Sequence, residues 1–278
     1  MPNQYWNKKV VVITGGSSGI GLAAAKLLAS SGAQVWLAAR RPELLETALK
    51  EVKAARRNPS QNCGMVSADV SDFRRAAQII ETVTKSVGVP EVLINSAGIS
   101  QPGYVQDLAP EVFERLMQVN YLGTVYVTGA ALPGMMKRGS GHIINLSSAT
   151  GFMGIFGYTA YGATKYAVAG YSEALRAEMK KHGIRVSVAF PTDVDTPQLA
   201  YETPFKPLEM IALEGNAKPL SAEVVAHTIL RQAEKGRYMI LPGTDAVLFY
   251  LLTSKLPKSL VFTIMDLMAV PGKKVKKA

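Results

Sequence analysis

The feature that most constrains the fold of this chain is a glycine-rich turn, TGGSSGIG at residues 14–21, between an apolar run and a helical pattern. The run KVVVIT at residues 9–14 has the β-branched composition of a strand, and residues 20–30 have helical periodicity. In such a strand-turn-helix unit, backbone N–H groups and the positive helix end can face a phosphate. The unit therefore indicates a nucleotide site. A plain tight turn is the alternative, because the glycine spacing departs from G-x-G-x-x-G.

The alternation of strand and helix continues along the chain. Strands are predicted at residues 9–14, 34–38, 64–67, 92–95, 142–146 and 185–189. Helical patterns follow the first five at residues 20–30, from Pro42, from Phe73, at 111–136 and at 161–181, and a proline-rich loop follows the sixth. This order predicts an α/β fold, with a Rossmann-type, doubly wound parallel sheet and helices on both of its faces.

No internal repeat, low-complexity run or glycine/serine linker divides the sequence into several domains. Its 278 residues, 48% hydrophobic and 19% charged, suffice for one large core and exclude disorder. We therefore expect a single catalytic domain over residues 1–245, with a substrate loop at about 191–218, followed by an apolar helical extension with a basic tail over 246–278. One cysteine and three scattered histidines argue against a disulfide or a metal site.

Half of the net charge of +10 lies near the carboxyl terminus, where residues 255–278 hold six lysines and one aspartate. Because this segment adjoins apolar stretches at residues 246–254 and 260–270, it favours contact with an anionic membrane surface over a nucleic-acid groove. The alternative is that the apolar segments close the core or a subunit interface.

The same region argues against a membrane span, since Lys255, Pro257, Lys258 and Asp266 interrupt its apolar residues. The amino-terminal sequence resembles neither a signal peptide nor a spanning helix. We therefore expect a cytoplasmic protein that is peripheral on the cytoplasmic face of a membrane.

The second predicted strand ends in Ala-Ala-Arg-Arg, residues 38–41, where an NAD-binding unit would place an acid for the ribose 2′-hydroxyl. A guanidinium there suits a 2′-phosphate instead, because it forms charge-assisted, often bidentate hydrogen bonds to phosphate. Arg40 and Arg41 therefore predict NADP(H) as the cofactor. The alternative, a solvated strand end, fits Arg41 better than Arg40.

The candidate catalytic residues are Tyr161 and Lys165, in the segment YGATK at a predicted helix start. Residues four apart share a helix face, so the phenol and the ammonium are neighbours. Free tyrosine has a pKa of about 10, and we expect the cation and the charge of the nicotinamide to lower it toward neutrality. Ser148 strengthens this interpretation, because it follows a predicted strand at the edge where open α/β sheets carry their sites.

Together these motifs resemble those of the short-chain dehydrogenases/reductases. The resemblance covers about residues 8–196, and its motifs are TGGSSGIG, Ala68-Asp69-Val70, INSAG at 94–98, Asn120, Ser148 and YGATK. It implies that Tyr161 donates a proton to a carbonyl oxygen, and that Lys165 binds the nicotinamide ribose and lowers the tyrosine pKa. It also implies that Ser148 polarises that oxygen and that Asn120 supports a water-linked proton relay. The alternatives are a capping serine for Ser148 and a helix-kink amide for Asn120.

The resemblance further implies which residues contact the cofactor, with Asp69 and Val70 at the adenine. The implied set is Gly15, Ser17, Ser18, Gly19, Ile20, Gly21, Arg40, Arg41, Asp69, Val70, Asn95, Ala97, Gly98, Tyr161, Lys165, Pro191, Val194 and Thr196. It also implies a homodimer or homotetramer, joined through the helices at 111–136 and 161–181.

Segments after the sixth strand resemble one family within this superfamily, the 3-ketodihydrosphingosine (3-oxosphinganine) reductases. The similar strings are PTDVDTP at 191–197, ET at 202–203, KPLE at 206–209 and LPGTD at 241–245. The resemblance implies NADPH-dependent reduction of the C3 ketone of a long-chain keto-amine lipid, 3-oxosphinganine, to sphinganine. The alternatives are a reductase for a steroid, retinoid or acyl ketone, and a catalytically silent nucleotide-sensing scaffold.

Overall fold

The computed structural model describes residues 5–215 and 217–270, and its centre is a parallel sheet of seven strands. In spatial order these are β3 (Gly64–Ser67), β2 (Gln34–Ala39), β1 (Val10–Thr14), β4 (Val92–Asn95), β5 (Gly141–Leu146), β6 (Ile184–Ala189) and β9 (Met239–Ile240). Two short strands, β7 (Val194–Asp195) and β8 (Leu220–Ser221), pair with each other in parallel. The strand order reverses between β1 and β4, and in open α/β sheets ligands bind in the crevice at that point.

Helices cover both faces of the sheet, which confirms the predicted fold class. The helices are α1 (Gly19–Ser30), α2 (Pro42–Ala54), α3 (Phe73–Val87), α4 (Pro110–Leu116), α5 (Gly123–Arg138), α6 (Thr159–Met179), α7 (Pro197–Glu202), α8 (Leu208–Glu214), α9 (Ala222–Glu234), α10 (Thr244–Lys255) and α11 (Lys258–Met268). Helices α1, α2 and α9 pack on one face, and α3, α5 and α6 pack on the other.

Strand β1 shows why strands could be predicted from the sequence. Val11 and Ile13 point into the core beneath α1 and α9, whereas Val10 and Val12 point into the core beneath α3 and α5. All of β1 is buried. A parallel strand covered on both faces needs apolar residues at every position, which gives a continuous apolar run.

The helix expected at residues 111–136 is not continuous. A π-helical segment at Met117–Leu122 separates α4 from α5, and Asn120 lies inside it. Such a segment adds one residue to a helical turn, and it is frequent at functional sites. The sequence pattern missed it because one added residue hardly alters the apolar periodicity of a long helix.

Four further elements were not expected. Strand β9 has two residues and pairs with β6 through Met239 and Ile240, too short a run for an alternating pattern. Helix α9 fills the sheet face beside α1. The segment expected to be a proline-rich loop contains the short helices α7 and α8. Both helices are too short to show a helical pattern of apolar residues in the sequence.

The expected carboxyl-terminal extension is helical and consists of α10 and α11. Tyr250 of α10 packs edge-on against Phe152, with ring centroids 5.6 Å apart, and α11 contacts α8. Within residues 5–215 and 217–270, the structure has no helix of the length and apolarity required to cross a bilayer. The lysines at 273, 274, 276 and 277 lie outside the described residues.

Candidate active site

The glycine turn after β1 has a backbone conformation and close contacts that only glycine can adopt at several positions. Gly15 and Gly19 have φ values of +67° and +54°. A Cβ at Gly21 would lie 2.4 Å from the Gly15 carbonyl oxygen, and a Cβ at Gly15 would lie 2.7 Å from the backbone nitrogen of Ala97. Ser18 precedes α1 without a side-chain capping bond. The turn therefore leaves its glycine backbone without side chains and the N-terminus of α1 without a side-chain cap. A phosphate group can approach such a backbone closely, which fits the pyrophosphate of a dinucleotide.

The arginines predicted to select the cofactor follow β2. The Arg40 Nη1 lies 4.0 Å from the Asp69 Oδ2, and both side chains are nearly half exposed. Arg41 is the residue before α2 and is exposed. Val70 is buried, and it packs so closely on Gly123 that a Cβ there would lie 2.7 Å from the valine. Arg40 and Asp69 thus lie together, and both remain partly exposed to solvent.

The loop after β4 is tied to the end of β1. The backbone nitrogens of Ser96 and Ala97 both donate to Thr14 Oγ1 at 3.2 Å. Gly98 faces the site, since a Cβ there would lie 3.6 Å from Lys165 Nζ. Asn95 does not line the crevice with its side chain, which is buried and donates to Thr128 Oγ1 at 2.9 Å and to Asn145 Oδ1 at 2.8 Å.

The structure brings Ser148, Tyr161 and Lys165 together at the carboxyl end of β5. The Ser148 side chain lies close enough to the Tyr161 hydroxyl to lower the pKa of the tyrosine. Lys165 Nζ lies 5.4 Å from the centre of the Tyr161 ring and donates to the Leu146 carbonyl at 3.0 Å. Ser148 Oγ also accepts from the Thr150 nitrogen at 3.2 Å, so this serine caps a 3₁₀ turn while it contacts the tyrosine.

The protonation of Tyr161 and Lys165 depends first on their burial. Burial and the nearby Glu202 carboxylate raise the pKa of Tyr161 above its ordinary value, and hydrogen bonds with Ser148 and Gln198 only partly oppose them. Burial lowers the pKa of Lys165 to about 8, against the attraction of Glu202. For the protein's own residues, desolvation of both groups outweighs their proximity. The expectation that the lysine and the charge of the nicotinamide together lower the tyrosine pKa stays a prediction.

Both the nitrogen and the oxygen of the Asn120 side-chain amide form hydrogen bonds. Its Nδ2 donates to the Ile99 carbonyl and to Thr164 Oγ1, each at 2.9 Å, and its Oδ1 accepts from the Ile99 nitrogen at 2.8 Å. The side chain thus joins the π-helical segment to the loop after β4 and to α6. This is the helix-kink position that the sequence left as one alternative, and it lies beside the candidate catalytic residues.

The segment after β6 closes over the tyrosine. The Pro191 carbonyl accepts from the Ala149 nitrogen at 2.9 Å, and Val194 is buried in β7. Thr196 caps α7, its Oγ1 accepting from the Leu199 nitrogen at 3.4 Å, and its methyl would lie 3.1 Å from a Cβ at Gly19. Thr196 therefore connects the glycine turn with the predicted substrate loop.

Three residues that sequence reasoning did not assign to the site lie against Tyr161. The Tyr158 ring is 5.1 Å from the Tyr161 ring, and its hydroxyl donates to Glu202. Gln198 Nε2 donates to Glu202 Oε1 at 2.9 Å, and the Gln198 side chain also lowers the pKa of Tyr161. Residues 198 and 202 are four apart and could have been placed on one helix face. The sequence did not indicate a helix there, because α7 has only six residues and no clear apolar periodicity.

Comparison with known proteins places these features in one family. A sequence profile described as short chain dehydrogenase matches residues 9–206. The Bos taurus protein named 3-ketodihydrosphingosine reductase is 38% identical over 244 residues, 87% of this chain and 74% of the relative. The Dictyostelium discoideum protein of the same name is 31% identical over 277 residues, 95% of this chain and 83% of the relative. The crystal structure of levodione reductase superposes with a TM-score of 0.77 at 26% identity, covering 87% of this chain and 98% of that one.

Proposed function

This chain belongs to the short chain dehydrogenase family of oxidoreductases, and from that premise we propose that it reduces the C3 ketone of 3-oxosphinganine to sphinganine with NADPH. The observation that carries the proposal is that buried Tyr161 and Lys165 lie together beside Ser148, with Lys165 Nζ 5.4 Å from the centre of the Tyr161 ring. The substrate is proposed because several relatives that match most of this chain bear the name of that reductase.

Each residue of the site has a role in this reaction. The dinucleotide supplies the hydride when it is bound. Ser148 and Tyr161 donate hydrogen bonds to the ketone oxygen, and Tyr161 then gives up its proton to that oxygen. The tyrosine holds its proton near neutral pH, and we infer that the charge of Lys165 and of a bound dinucleotide would lower its pKa toward the working pH. Lys165 contacts the ribose and stabilises the phenolate that remains.

The cofactor groups would be held along the carboxyl ends of the strands. The turn at Gly15, Gly19 and Gly21 would hold the pyrophosphate against α1. Arg40 would bind the 2′-phosphate, exchanging its loose contact with Asp69 for a charge-assisted pair. This exchange favours NADPH over NADH.

Helices α10 and α11 would hold the enzyme on an anionic membrane. They expose large apolar side chains, with Phe262 58% and Leu267 72% accessible, although α11 also contacts the substrate loop. Exposed apolar helices flanked by lysines at 255 and 258 suit the interface of a bilayer with anionic lipids. Such docking would bring the site to a substrate with very low solubility in water.

The active form would be a homodimer or homotetramer joined through the exposed sides of α4, α5 and α6. Tyr166 on α6 is 42% accessible and suits burial in such an interface. Light scattering on the purified protein tests this, and a monomer at assay concentration contradicts it.

The experiment that tests the proposed reaction measures NADPH oxidation with long-chain 2-amino-3-ketones, steroids, retinoids and simple ketones. Preferential turnover of the long-chain amino ketone is the expected result. Turnover of steroids or retinoids alone would replace the proposed substrate, and no NADPH oxidation with any ketone would indicate the silent scaffold.

A further inference from the structure

A buried carboxylate lies beside the reacting groups, and the reaction proposed above does not use it. Glu202, the last residue of α7, is 4% exposed. Its oxygens accept hydrogen bonds from two neutral groups, the Tyr158 hydroxyl and the Gln198 amide. In the part of the chain that the structure describes, no cationic side chain lies within 4.0 Å of this carboxylate. Burial of a carboxylate with neutral donors alone is costly, so its position suits a cationic ligand.

The carboxylate is separated from the reacting hydroxyl by one small group. The Gln198 amide donates to Glu202 Oε1 at 2.9 Å, and the same side chain lies close enough to the Tyr161 hydroxyl to lower the pKa of the tyrosine. Tyr158, which also bonds to Glu202, stacks at a tilt on the Tyr161 ring with centroids 5.1 Å apart. A planar group of amide size therefore spans the gap between the proton donor and the carboxylate.

An α-amino ketone likewise carries an oxygen and a nitrogen on one short, compact group. Its carbonyl oxygen and the nitrogen on the adjacent carbon are roughly 3 Å apart, given ordinary bond lengths. A ketone oxygen at Tyr161 and Ser148 would place the neighbouring ammonium where the Gln198 amide now donates to Glu202.

We propose that Glu202 binds the ammonium group of the substrate and that the site thereby selects 2-amino ketones over neutral ketones. The substrate would take the place of the Gln198 amide between Tyr161 and Glu202. This inference rests on the proposed function, because it concerns the group next to the carbonyl that is reduced.

The competing explanation is that Glu202 only balances the charge of Lys165, whose pKa it raises. The two explanations differ in what they predict for ligands. A carboxylate that balances the lysine affects charged and neutral ligands alike, whereas an ammonium site affects only the charged ones.

Binding of an unreactive pair of alcohols tests the proposal directly. The full chain, with NADPH present, is titrated by calorimetry with a 2-amino-3-alkanol and with the same alkanol lacking the amine, at chain lengths that stay monomeric. Both are already reduced, so neither reacts with NADPH. Wild type is expected to bind the amine at least about tenfold more tightly, as for a charge-assisted hydrogen bond.

Glu202→Gln is expected to abolish that preference while leaving the affinity for the neutral alcohol within about threefold, since its amide is isosteric with the carboxyl. Glu202→Asp keeps the charge and is expected to retain part of the preference. Glu209→Gln is the matched control, because Glu209 is a carboxylate of the same segment that accepts from Tyr104 at 2.9 Å. It is expected to retain the full preference.

Two results overturn the proposal: a wild-type protein without preference for the amine, and a Glu202→Gln variant that keeps the preference or loses affinity for both alcohols equally. Turnover of the long-chain amino ketone is measured on the same preparations. If wild type prefers the amine but reduces no amino ketone, the proposed function fails and the ammonium site stands.

Discussion

Replacement of Tyr161 by phenylalanine tests the role of its hydroxyl as proton donor. The substitution removes one oxygen atom from a 9% exposed side chain and leaves the ring in place against Tyr158. It removes the polar contacts of that hydroxyl beside Ser148 and Gln198, so we expect a loss of about 1 kcal/mol or less in the free energy of unfolding. Loss of a general acid lowers the rate by about 10²- to 10⁴-fold, or roughly 3 to 5 kcal/mol in activation free energy.

The assay is single-turnover oxidation of NADPH with the best ketone from the substrate panel, together with NADPH affinity by fluorescence titration. We expect the affinity to change less than about threefold, since the phenol oxygen is one contact among many. Tyr166→Phe on the same helix is the matched control, because its side chain is 42% exposed and distant from the bond to Ser148. Activity of Tyr161→Phe within tenfold of wild type would remove the tyrosine from the role of acid.

Arg40→Ala is expected to raise the KM for NADPH by about tenfold to a hundredfold, the range of a charged hydrogen bond, with little change for NADH. Gly21→Ala is expected to abolish dinucleotide binding in a calorimetric titration, because its Cβ would lie 2.4 Å from a backbone oxygen. Lys165→Met removes a group whose pKa is lowered from 10.5 to about 8. Between these pH values the unfolded chain holds a proton that the folded chain has lost, so the unfolding free energy of wild type should rise with pH relative to the variant, by up to about 3 kcal/mol. Deletion after Asp245 is expected to release the protein from anionic liposomes in a sedimentation assay and to lower activity on long-chain ketones more than on short ones.

Each of these predictions has a result that contradicts it. Equal effects of Arg40→Ala on both cofactors would make the arginine structural, and Arg41→Ala is the control. Unchanged dinucleotide affinity in Gly21→Ala would show that the turn can shift. Parallel pH profiles for wild type and Lys165→Met in denaturant titrations would show that the lysine keeps its proton. Full-length protein that stays in the supernatant with excess anionic liposomes at low salt would exclude membrane docking.

The sequence predicted the fold where burial on both faces of the sheet leaves a continuous apolar run, as at Val10 to Thr14. It did not predict β9, because two residues carry no period. It placed Asn120 in a helix but not in a π-helical segment, since the amide contacts with Ile99 and Thr164 join residues distant along the chain.

The candidate site was predictable as far as local spacing allowed. Tyr161 and Lys165 share a helix face, which the sequence shows, and their proximity is confirmed. The direction of the tyrosine pKa was not predictable, because it depends on burial and on where α7 places the Glu202 carboxylate, which accepts from the Tyr158 hydroxyl. Long-range packing therefore sets the chemistry of groups whose positions the sequence had already indicated.

Helices α10 and α11 pack against segments that adjoin the candidate active site. Tyr250 supports Phe152, which follows the Ser148 turn, and α11 rests on α8 in the segment that carries Lys206 and Glu214. Helix α10 thus packs beside the Ser148 turn, and α11 packs on the segment after β6. A fusion partner or affinity tag at the carboxyl terminus is therefore expected to disturb both contacts.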